Sequence, residues 1–124
     1  MPKTATKKDP LKDLVEKLFQ SRDVIHLAHL KTNSYAAHVA LGDYYDSILG
    51  FADDLVETAQ GCEGKLMDLT IPSASYMEPV THLMEMKECL IGCRESMEYE
   101  FQKNIVDEIT ALTAKTIYKL KFLK

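Results

Sequence analysis

Apolar residues recur at intervals of three and four through long segments that glycine and proline leave uninterrupted, a pattern that predicts an all-α chain. Asp9-Pro10 reads as an N-cap followed by proline at the first helical position. The first helix is expected from about Pro10 to Lys31, with Leu11, Leu14, Val15, Leu18 and Ile25 on one stripe. Thr32-Asn33-Ser34 breaks it. A second helix is expected from about Ser34 to Gln60, capped by Gly61, with Ala37, Leu41, Tyr44, Ile48, Ala52, Leu55 and Ala59 facing inward. Ser75 and Glu78 match a capping box and place the start of a third helix, with Pro79 in its first turn. That helix carries Val80, Leu83, Leu90, Ile91 and Met97 and ends between Glu95 and Gln102. A fourth presents Ile105, Ile109, Leu112, Thr116, Leu120 and Leu123, with Lys115, Lys119, Lys121 and Lys124 complementing its C-terminal dipole.

Between the second and third helices, Gly61 to Ser75 make a connection long for a compact bundle, with Leu66 to Leu69 as a candidate short helix inside it. Four helices joined this way are expected to form a ferritin-like four-helix bundle with a long crossover between the second and third helices, not a simple up-down bundle. Residues 1–8, carrying Lys3, Lys7 and Lys8, read as a flexible basic tail, and 9–124 as a single bundle domain.

Composition narrows the class. At 124 residues there is one domain with a modest core, so association with further copies would add burial. A net charge of −4 argues against broad nucleic-acid electrostatics, leaving the lysine tail as the one place where DNA could be held, a role less favoured than a solubilising tail. Three cysteines, Cys62, Cys89 and Cys93, make no disulfide framework, and with no signal peptide or membrane-spanning run the expected location is the cytoplasm.

Candidate chemistry collects around the first two helices. On a helical wheel, His29 falls on the inner stripe of the first helix and His26 at its edge. The second helix has a further partly apolar face with His38, Tyr45, Leu49 and Val56, followed by Gly42, Asp46, Gly50, Asp53 and Glu57. Glycine within a helix costs roughly 0.5–1 kcal/mol against alanine, so Gly42 and Gly50 suggest that a partner helix approaches there. Asp53 and Glu57, one turn apart, could hold a metal together, but Asp53 lies about 22 Å along the helix from His38. A site using both histidines and carboxylates therefore has to be assembled from two subunits across a two-fold.

At these residues the chain resembles the Dps family, the mini-ferritins named for DNA protection during starvation. His26, a second histidine 12 residues later at His38, and Asp53 and Glu57 at 15 and 19 beyond it follow that family's intersubunit ferroxidase pattern. The departure is Gly42, which stands four residues after His38 where the family has Asp; Asp43 beside it is rotated about 100° away. The resemblance implies a hollow homo-oligomer, usually a twelve-subunit shell built from two-fold dimers, that oxidises ferrous iron with hydrogen peroxide or dioxygen and stores the ferric product. It implies His26, His38, Asp53 and Glu57 as catalytic and iron-binding residues; His29, Asp46 or water could fill the ligand position that Gly42 leaves empty, although core packing is the favoured reading of His29. Zinc would compete for such a donor set.

The rival expectation is a ferritin-like structural or assembly protein whose site is degenerate or occupied by zinc. Cys89 and Cys93, one turn apart with His82 seven residues earlier, allow a zinc site as well, but buried cysteines are the favoured reading.

Overall fold

The computed structural model describes residues 9–124, and the basic tail expected at Lys3, Lys7 and Lys8 lies outside the described residues. Asp9 caps α1, Pro10–Lys31: its carboxylate accepts from the amides of Leu11 and Lys12, and Pro10 takes the first helical position. Ser34 caps α2, Tyr35–Glu63, by accepting from the Ala37 amide. The remaining elements are α3, Pro79–Arg94, and α4, Glu100–Phe122, giving four helices and no strand among the described residues.

Three boundaries and one short element differ from the expected ones; α3 stops at Arg94, short of the Glu95 to Gln102 range, with Ile91 exposed and Met97 beyond its end. Helix α2 does not stop at Gly61. It runs to Glu63 and is capped by Gly64, which has φ of 71° and donates its amide to the Gln60 carbonyl. Helix α3 begins at Pro79 and not in a box capped by Ser75, because a residue preceding proline is held out of the α region. Glu78 is itself the cap, its carboxylate accepting from the amides of Val80 and Thr81 at 3.2 and 2.8 Å. The short helix expected near Leu66 is absent, since side chains of neighbouring helices take the backbone donors that it would use. Gln60 accepts from the Met67 amide at 2.9 Å and Glu16 from the Thr70 amide at 2.8 Å.

The connection is laid along α1. Beyond Glu16, Gln20 Nε2 donates to the Ser73 carbonyl at 2.8 Å, and Lys31 places Nζ 4.5 Å from the Tyr76 ring centre. At the far end of the molecule Pro10, Ala59, Met97 and Gln102 line one cavity, so α1 and α4 start where α2 and α3 end. Each of α1 and α4 packs against both α2 and α3.

The core is built from Leu14, Leu18 and Ile25 of α1, Leu41, Ile48 and Leu55 of α2, Leu83 and Leu90 of α3, and Val106 and Ile109 of α4. Each such side chain contributes about 1.5–3 kcal/mol by leaving water. Helix α4 is turned relative to its expected face: Gln102, Val106, Ile109, Thr113 and Thr116 are buried, while Ile105, Leu112 and Leu120 are partly buried and Leu123 is exposed. The threonines fit because their hydroxyls donate back to carbonyls of the preceding turn, Thr113 to Ile109 and Thr116 to Leu112, each at 2.8 Å. Arg94 closes the α3–α4 corner with two hydrogen bonds to the Asp107 carboxylate.

No described helix is long and apolar enough to cross a membrane.

Candidate functional site

The short break between α1 and α2 makes them an antiparallel hairpin and brings three histidines onto the seam between them. His29 Nδ1 donates to the His38 carbonyl at 2.6 Å, and His38 Nδ1 donates to the His29 carbonyl at 2.9 Å. A carbonyl can only accept, so both Nδ1 atoms carry hydrogen, and in the neutral rings Nε2 holds the free lone pair. The two rings stack with centroids 3.7 Å apart and planes 20° from parallel. His26 stacks on Tyr45 at 4.3 Å, and Tyr45 meets His29 edge-on at 5.2 Å. Arg22 lies 5.8 Å from the centre of the Tyr45 ring on the same seam.

His29 does not point into the bundle as expected. It is half-buried at the seam, and the inner positions beside it are filled by Ile25 and Ala28. Its place explains Gly42. A Cβ built there would stand 3.2 Å from His29 Cε1 and 3.3 Å from Nδ1, so the close approach at this glycine is made by the chain's own imidazole. Gly50, in contrast, has open space above it within the chain.

Asp53 and Glu57 sit one turn apart on the exposed side of α2, with no ion pair or side-chain hydrogen bond among the described residues. Asp46 is also exposed on that helix. The helical rise keeps Asp53 about 22 Å from His38. Among the described residues no three His, Cys, Asp or Glu side chains converge on a point where they would hold an ion. One chain thus brings His26, His29 and His38 together and leaves Asp53 and Glu57 apart from them.

A second polar group lies in the core and was not anticipated. The Ser21 hydroxyl is 2.8 Å from the Tyr44 hydroxyl and 2.7 Å from His82 Nε2. Helices α1, α2 and α3 supply one member each, while the Thr113 hydroxyl of α4 beside Tyr44 donates to the Ile109 carbonyl of its own helix. Burial pushes the Tyr44 phenol up to about 12, with Ser21 and the neighbouring Thr113 opposing the shift, so it stays a donor at neutral pH. Burial pulls His82 below the ordinary imidazole value, against an opposing pull from Glu85. The sequence signal for this group was weak: Tyr44 and His82 each fall on an apolar stripe, where a polar tip needs a partner.

No curated protein and no solved structure matches the chain. Residues 29–120 match the model of a family described as a family of unknown function, DUF5856, a span that includes His38, Asp53 and Glu57 and starts after His26. That match covers well over half of the chain, which therefore belongs to the DUF5856 family.

Proposed function

We propose that this protein is a Dps-like, ferritin-like bundle that handles ferrous iron in the cytoplasm, at sites shared between copies in a closed homo-oligomer such as a twelve-subunit shell. His26 and His38 of one chain and Asp53 and Glu57 of its partner bind the ferrous substrate. Two ferrous ions each give one electron to a peroxide, whose O–O bond breaks; two protons are taken up and two waters leave. Dioxygen is the other candidate oxidant. The ferric product passes to the inner wall of the shell.

The observation that carries the reading is the way His38 is held. Metal-binding histidines commonly donate one ring N–H to a carbonyl and keep the other nitrogen for the ion, and His38 has this arrangement. Further support comes from the exposed carboxylates Asp53 and Glu57, too far away on the same helix to act in their own chain, and from Val39 and Leu49 exposed on that helix. A connection laid along α1 that leaves α2 and α3 ending together also suits a ferritin-like crossover. Free cysteines suit a reducing compartment.

The test is anaerobic ferrous titration followed by peroxide, with mass measured by light scattering. The expected result is an assembly far heavier than 14.1 kDa that oxidises iron, and a double variant His38→Ala, Asp53→Ala that assembles without doing so. A monomer, or oxidation unchanged in the double variant, would overturn the proposal.

Gly42 favours a second reading, in which the bundle is a structural or assembly protein with a degenerate or zinc-occupied site. The position that carries a carboxylate in the Dps pattern is here packed by the His29 ring. In that case zinc binds and ferrous iron is not oxidised.

A further inference from the structure

Cys89 and Cys93 lie one turn apart on α3, and their sulfurs are 3.9 Å from each other. That is too far for a disulfide, whose S–S bond is about 2.05 Å. It is close to the sulfur–sulfur edge of a tetrahedral thiolate site, which is about 3.8 Å for metal–sulfur bonds of about 2.3 Å. The separation therefore matches a bite that an ion could accept without a change of backbone. Both side chains are half-buried, packed beside the core yet open to solvent.

Cys89 also opens onto a cavity of about 260 Å³ between α1 and α3, lined in addition by Met77, Met86, His82, Glu85 and Lys17. Thiol, thioether and imidazole are the soft and borderline donors that select thiophilic metals over calcium or magnesium. From α1, Lys17 Nζ reaches within 3.9 Å of Cys89 Sγ, and Asp13 and Lys17 exert opposing fields on Cys93. Burial, with Cys89 alongside, raises the Cys93 thiol, so an ion has to displace its proton.

We propose that Cys89 and Cys93 form a two-thiolate site for a thiophilic divalent cation of the zinc group, reached through this cavity. Two S–H bonds break, two metal–sulfur bonds form and two protons pass to solvent, with no oxidant required. No third His, Cys, Asp or Glu completes the set among the described residues, so water fills the remaining positions. The site is separate from the α1–α2 seam and stands whether or not iron is handled there.

The experiment uses cadmium as the probe, on reduced protein carrying Cys62→Ser. Titration is expected to raise a thiolate-to-cadmium charge-transfer band that saturates at about one ion per chain, is abolished by Cys89→Ser or Cys93→Ser, and is displaced by zinc. No band in the Cys62→Ser protein, or a band that survives in either further variant, would overturn the proposal. Alkylation of the unmutated chain, mapped by mass spectrometry, needs no variant to fold. Zinc should slow the labelling of Cys89 and Cys93 while Cys62 reacts as before, and equal rates at the pair with and without zinc would overturn it too.

Discussion

Gly42 is a residue whose meaning changes once its neighbours are known. Read along the helix, it is a defect costing roughly 0.5–1 kcal/mol, explicable by a partner that comes close. In the folded chain the close neighbour is His29, whose ring occupies the space that a side chain would need. Two opposing effects should then meet in Gly42→Ala. Better helix propensity contributes about 1 kcal/mol, and displacement of the His29 ring endangers a hydrogen bond worth about 1 kcal/mol. The expected net change is close to zero in denaturant unfolding. In a His29→Ala background the same substitution should stabilise by about 1 kcal/mol, because the obstruction has gone. Equal effects in the two backgrounds would show that the ring does not set the fit at Gly42.

Among the elements, α3 shows how local chemistry decides a boundary. Ser75 and Glu78 satisfy the spacing of a capping box, but that spacing takes no account of the proline that follows. The restraint that Pro79 places on Glu78 excludes a helical start upstream, and the same proline is well suited to the first helical position. Glu78→Ala should therefore cost about 1 kcal/mol of stability, while Ser75→Ala changes it little; thermal unfolding of the two variants distinguishes the alternatives. Helix α2 and the connection after it pose a related ambiguity. Gly61 and Gly64 can both terminate a helix, and periodicity does not choose between them. The hydrogen bonds from Gln60 and Glu16 to the connection are long-range consequences of packing, invisible to a local pattern.

At the scale of the whole molecule, Ser21, Tyr44 and His82 tie α1, α2 and α3 together at one buried point. This has a consequence for stability against pH. The folded His82 has its pKa lowered from 6.5, so as pH falls below that value the unfolded chain binds a proton that the native chain resists. The unfolded state then holds more protons, and stability drops as pH falls through this window and recovers as it rises. Unfolding midpoints measured between about pH 5 and 7.5 should show this slope. His82→Gln should flatten it, lowering stability at the upper end where the lost bond to Ser21 is no longer offset; an unchanged slope would place the titrating group elsewhere.

The sequence alone determined the all-α class, the four helices and most of the core, because amphipathic periodicity and caps are local and each leaves its mark within a turn or two. It also marked out His26, His29, His38, Asp53 and Glu57, since residue type and helical rise suffice to show that the carboxylates are out of reach of the histidines in one chain. Tertiary structure alone decided the rotation of α4, the reciprocal bonding of His29 and His38, the imidazole that fills Gly42 and the buried polar group shared by α1, α2 and α3. Each of these depends on which surfaces meet and on where a polar tip finds its partner, and residues far apart in the chain settle both only when the helices pack.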